Sequence, residues 1–128
     1  IGYGVFHQNL IQKIKEFKEP WTVNNLAQKA AIIALEDSVY ADETFSLIKR
    51  EKEYMENSFR KMGIKYFPSE VNYYLLQIEN ATSLVDEMRN KGILVRDCSN
   101  FKGLGSSYIR VAVKSHKHNE ILLKELSR

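Results

Sequence analysis

The stretch Tyr108-Ile109-Arg110-Val111-Ala112-Val113 carries the residue best suited to chemistry. It is rich in β-formers and reads as a strand from Ser107 to Val113. Strand side chains alternate between faces, so Ile109, Val111 and Val113 form an apolar face that should meet helices. Tyr108, Arg110 and Ala112 point the other way. A mid-strand arginine opposite the core presents a planar fork, which suits a carboxylate or phosphate held by two hydrogen bonds. A surface or edge arginine paired with a local acid is the competing reading. Arg96, in Val95-Arg96-Asp97-Cys98, stands at the end of a short strand. It faces the same anion, or it pairs with Asp97 or a loop carbonyl; the spacing does not choose.

Other chemistries find little support. Cys98 has no histidine nearby in sequence to activate it and reads as a packing residue. His116 and His118 are two apart, whereas ligands on one helix face are three or four apart, so both read as surface residues. Gly103-Leu104-Gly105 lacks the strand–helix setting of a phosphate loop and reads as a turn. Phe67, Tyr73 and Tyr74 read as core aromatics, because no motif of an RNA-binding sheet accompanies them. The residues alone therefore offer no nucleophile–base pair, no metal cluster and no catalytic site beyond one or two arginines suited to an anion.

The elements that must position those arginines follow from periodicity. Leu10, Ile11, Ile14 and Phe17 predict a helix over His7–Lys18, ended by Glu19-Pro20. Thr22 or Asn24 caps a second helix, Leu26–Glu36, which is rich in alanine. Asp42–Met62 reads as one long helix with Phe45, Ile48, Met55, Phe59 and Met62 as its apolar stripe and Glu51 mostly on the wet side. Gly63 stops it. Val71–Ile78 is a strand, and Asn80, Thr82 or Ser83 caps a short helix ending at Gly92. Ile93–Val95 is a short strand, and Ser115 caps the last helix. The expected fold is α+β: a small, mainly antiparallel three-stranded sheet covered by helices, with a long linking helix.

Composition sets the frame. The chain has 128 residues, 44% of them apolar, which suits one compact core rather than two. The net charge of +3 is small and spread along the chain, which gives little reason to expect a nucleic-acid partner. No apolar run approaches the roughly 20 residues needed to cross a bilayer, so no membrane association is expected. The single cysteine and the lack of a leader-like start favour the cytoplasm. The chain begins at Ile1 rather than Met, as expected of a processed chain or a fragment.

Several segments together resemble the C-terminal part of fold-type I pyridoxal-phosphate enzymes, in particular histidinol-phosphate aminotransferase and threonine-phosphate decarboxylase. Ile1-Gly2-Tyr3 is similar to the end of that group's Arg-x-Gly-Tyr motif. Pro20-Trp21-Thr22-Val23-Asn24-Asn25-Leu26-Ala27-Gln28 resembles its P-(F/W)-x-V-N-x-L-A-Q segment, and Pro68-Ser69-Glu70-Val71-Asn72-Tyr73-Tyr74 its P-S-x-x-N-(F/Y) strand. Gly92–Arg96 and Tyr108–Val113 resemble its last two strands. The matches run in order over nearly the whole chain. Arg96–Phe101 followed by Gly103-Leu104 looks more like the decarboxylase, while Val111–Ser115 departs from the last-strand pattern of the aminotransferases.

The resemblance implies roles. Arg110 matches the arginine that holds the substrate's acidic group, Arg96 a second anion-binding arginine, and Asn24 an asparagine near the cleft. It implies pyridoxal 5'-phosphate as cofactor, a small phosphorylated amino acid or amino alcohol as substrate, and a homodimeric parent. The expected reaction is decarboxylation of L-threonine O-3-phosphate for cobalamin synthesis, with histidinol-phosphate transamination as the close alternative. A non-catalytic interaction module is the alternative from another class. Residues 1–38 would correspond to the end of the large domain and the helices linking it to the small one, and residues 39–128 to the small domain. No lysine here matches the Schiff-base lysine, so the 128-residue chain is expected to be inactive alone.

Overall fold

The structure, a computed structural model, describes residues 1–127 and divides into two compact units, Ile1–Asp42 and the residues from Glu43 onward. The first unit holds α1 (Gln8–Phe17), α2 (Asn25–Glu36) and the start of α3 (Ser38–Met62). His7 Nδ1 accepts from Asn9 N at 3.3 Å at the head of α1. Asn24 is the residue that caps α2: its Oδ1 accepts from Ala27 N at 2.8 Å, satisfying a backbone donor that the first helical turn leaves unpaired. Asp37 Oδ1 accepts from Tyr40 N at 3.0 Å. That bond starts α3 at Ser38, earlier than the Asp42 expected from the apolar stripe.

The second unit is an α+β sandwich. Its strands are β1 (Lys65–Phe67), β2 (Tyr73–Gln77), β3 (Arg96–Asp97) and β4 (Tyr108–Ala112), with α4 (Ala81–Asn90) and α5 (His116–Leu126) between and after them. The sheet order is β1-β2-β4-β3, and every neighbouring pair is antiparallel. Gly63 takes φ +68 where α3 stops, a left-handed turn that a side chain would strain.

The core lies on one face of this sheet. Tyr74 and Leu76 of β2 and Ile109 and Val111 of β4 are buried with Met55 and Phe59 of α3, Val85 and Met88 of α4, and Leu122 and Leu123 of α5. Full burial of each large apolar side chain contributes about 1.5–3 kcal/mol. The alternation expected around Arg110 is present: Ile109, Val111 and Val113 face inward, and Arg110 and Ala112 are exposed.

The strand count, the third strand, Phe45 and Glu51 also differ from expectation. The sheet has four strands rather than three, because Lys65–Phe67 pairs with Leu75–Gln77; a strand of three residues carries too little pattern to stand out. The third strand forms at Arg96–Asp97 rather than Ile93–Val95, because the residues opposite Arg110 and Ile109 are those two. Phe45, assigned to the apolar stripe of α3, is exposed. Glu51, assigned to the wet side, is 1% exposed. Its carboxylate accepts from buried Asn119 at 3.0 Å and lies 3.1 Å from His116 Nδ1.

Candidate anion-binding site

The core face of the sheet is covered by helices, and the opposite strand face carries the arginines. Leu75 is directly opposite Arg110 on β2, and Arg96 is directly opposite it on β3. The two arginines therefore stand side by side on one face, with Cα atoms roughly 4.5–5.5 Å apart as for any antiparallel pair. Like charges directly opposite one another destabilise a sheet. An anion placed between or above them turns that repulsion into attraction.

Among the described residues neither arginine forms an ion pair or hydrogen bond with a carboxylate. Among the described residues Arg110 makes no hydrogen bond and no ion pair, which removes the reading of a surface arginine paired with a local acid. Its guanidinium carbon lies 4.7 Å from the centre of the Tyr73 ring. Arg96 does not pair with Asp97 either. Its Nη2 donates to Asn100 Oδ1 at 3.1 Å, and its guanidinium sits 5.4 Å from the centre of the Phe101 ring. Asp97 bonds elsewhere: Ser99 N donates to its Oδ1 at 2.8 Å, and that bond and the Ser99 hydroxyl, with a smaller pull from the charge of Arg96, hold its carboxyl below the usual range.

The strand positions sharing this face are Lys65, Phe67, Tyr73, Leu75, Gln77, Tyr108, Arg110, Ala112 and Arg96. None is a carboxylate and three are cations, so the face is electropositive. Its aromatic residues are partly exposed, with Phe67 at 37% and Tyr73 at 39%. A planar fork beside an aromatic ring, on strand positions that carry no carboxylate, is suited to binding a phosphate or carboxylate.

Cys98 lies just beyond Arg96 and is buried. Burial pushes its thiol up, against the opposing pull of Arg110 and Arg96. A thiol held protonated is a packing group, as the sequence suggests. Asn24 belongs to the first unit, where its side-chain oxygen serves as the α2 cap.

Residue type alone missed Tyr73 and Phe101. Tyr73, Tyr74 and Phe67 were expected together in the core, yet only Tyr74 is buried there. The signal was available in the alternation of β2, which puts adjacent tyrosines on opposite faces.

A family model for aminotransferases of class I and II matches residues 1–126, and the chain belongs to that family. It is 39% identical over 131 aligned residues to a candidate threonine-phosphate decarboxylase of Caldanaerobacter subterraneus subsp. tengcongensis, covering 98% of this chain and 35% of that protein. The histidinol-phosphate aminotransferase of Clostridium acetobutylicum superposes with a TM-score of 0.84 at 34% identity, over 94% of this chain and 37% of the other. The L-threonine-O-3-phosphate decarboxylase of Porphyromonas gingivalis superposes with a TM-score of 0.78 at 28% identity, over 95% and 39% of the two chains. The chain thus spans about a third of the length of the curated relatives it matches.

Proposed function

We propose that this chain is the substrate-clamping part of a pyridoxal-phosphate enzyme that decarboxylates L-threonine O-3-phosphate. The observation that carries the reading is the pairing of Arg96 with Arg110 on a strand face without carboxylates. Relatives and structural neighbours of both the decarboxylase and the histidinol-phosphate aminotransferase type support the phosphorylated substrate class. Histidinol-phosphate transamination is the second reading, favoured by the higher TM-score of the Clostridium aminotransferase.

Pyridoxal 5'-phosphate is the cofactor of the enzyme so proposed, and when bound it supplies an electron sink. The arginine face does not itself form a seat for that group. It has no carboxylate to pair with a pyridine nitrogen, and its one strand lysine, Lys65, lies 5.6 Å from the Phe67 ring centre. The chain's own part is to bind and orient the substrate: the two forks neutralise its anionic group and fix its register. The cofactor's attachment is assigned to residues outside these 128, and the chain alone is inactive. Residues 1–38 would end the large domain and link it to the small one formed by residues 39–128. The enzyme is proposed to act as a cytoplasmic homodimer, in cobalamin synthesis.

The test is the full-length enzyme loaded with cofactor, assayed for CO2 release from O-phosphothreonine and for amino transfer from histidinol phosphate. Decarboxylation is expected, with kcat/KM lowered about 100-fold by Arg110→Ala, as for loss of two charge-assisted hydrogen bonds. Transfer from histidinol phosphate without decarboxylation selects the second reading. Unchanged kinetics in Arg110→Ala overturns both.

A further inference from the structure

We propose that Tyr73 and Phe101 are positioning residues that hold the two guanidiniums flat, leaving their N–H edges free to bind an anion. The inference rests on the anion-binding reading of Arg96 and Arg110 and names what makes that pair competent. Each arginine has one ring: Tyr73 at 4.7 Å from the guanidinium carbon of Arg110, Phe101 at 5.4 Å from that of Arg96. A ring attracts the cation through its face and uses none of the five N–H donors. A carboxylate in the same place would occupy those donors and cancel the charge. Both rings are partly exposed, at 39% and 44%, so they border the same open surface as the arginines.

The backbone explains how each ring reaches its partner. Tyr73 is directly opposite Ala112, the next residue on Arg110's face of β4. The small Ala112 side chain leaves room for the ring to lean along the diagonal to Arg110, a distance aromatic side chains span. Among the described residues the Tyr73 hydroxyl makes no hydrogen bond, so the ring and not the hydroxyl is the contact. Phe101 is set by a turn in which its N donates to Cys98 O at 3.0 Å and its O accepts from Leu104 N at 3.1 Å. Asn100, beside it, takes one N–H of Arg96 and leaves the rest of the fork open.

The experiment is calorimetric titration of the full-length, cofactor-loaded enzyme with inorganic phosphate, the cofactor filling its own phosphate site. Tyr73→Leu and Phe101→Leu are each expected to weaken phosphate binding about two- to fivefold, the range of a partly exposed cation–ring contact. Tyr73→Phe should restore it, and Tyr73→Leu should add nothing in an Arg110→Ala background. If Arg110→Ala weakens binding but Tyr73→Leu does not, or Tyr73→Phe is as weak as Tyr73→Leu, the ring role is overturned and the arginine reading stands. If Arg110→Ala leaves phosphate binding unchanged, or the wild type binds none, both are overturned.

Discussion

Asn119 Nδ2 donates to Glu51 Oε2 at 3.0 Å, joining two fully buried polar side chains 68 positions apart in the sequence. The same amide nitrogen donates to Lys114 O at 2.8 Å, and its Oδ1 accepts from Lys114 N at 2.9 Å. Asn119 therefore closes the turn that leaves β4 and ties it to α3. Burial pushes the Glu51 carboxyl up. The hydrogen bonds from Asn119 and His116, the charge of His116 and the Arg50 contact together outweigh that and hold it below its ordinary value.

A depressed carboxyl pKa stabilises the fold above the unfolded value, 4.5, and that stability is lost as pH falls through the lower folded value. Glu51→Gln should flatten the acid limb of the urea-unfolding midpoint against pH. Glu51→Ala should cost about 1–3 kcal/mol at pH 7, because a buried donor loses a partner. Identical acid limbs in wild type and Glu51→Gln would show that the carboxylate charge has no part in it.

Tyr74 behaves with the opposite sign. Burial raises its phenol first, and its hydrogen bond to Glu56 and that residue's charge raise it further, well above the ordinary 10.0. The contribution is complete below the unfolded value and is lost as pH rises through the folded one. Tyr74→Phe should cost about 1–2 kcal/mol and reduce the alkaline loss of stability. Ultraviolet titration should show Tyr74 still protonated at pH 11 until the chain unfolds; its ionisation in the folded protein at that pH would contradict this.

Arg110→Lys keeps the charge and loses the fork. It should recover no more than about a tenth of the wild-type kcat/KM, since an ammonium cannot make two parallel bonds to one anion. Full activity in Arg110→Lys would mean that a point charge is sufficient.

Cys98 should react slowly. Its thiol is buried and raised, so alkylation by iodoacetamide at pH 8 should be much slower in the native protein than in urea. Equal rates in the two would place Cys98 at the surface.

The fold was largely legible because its signals are local. The alternation around Arg110 fixed which face is wet, Asn24 is followed by its helix, and Gly63 and Gly92 both take left-handed backbone at helix ends. What was not legible depends on partners distant in sequence. Glu51 looks like any wet-side glutamate until Asn119 and His116 fold against it. Phe45 falls on an apolar stripe, yet its exposure depends on what packs there, which helical period does not state. The arginine pair follows the same logic: Arg96 and Arg110 each carry a weak signal, and only the register of β3 against β4 makes them neighbours.

β3 has two residues and sits at the sheet edge, whereas β4 is flanked on both sides. Five register pairs join β4 to β2, and only Arg96↔Arg110 and Asp97↔Ile109 join it to β3. One cation is thus anchored in the interior framework and the other hangs on a short margin steered by the turn through Asn100 and Phe101. If the pair binds an anion as proposed, substitutions in that turn should shift the reach of Arg96 while the core pairs of β4 with β2 stay in place. Changes around Arg110 have no such latitude.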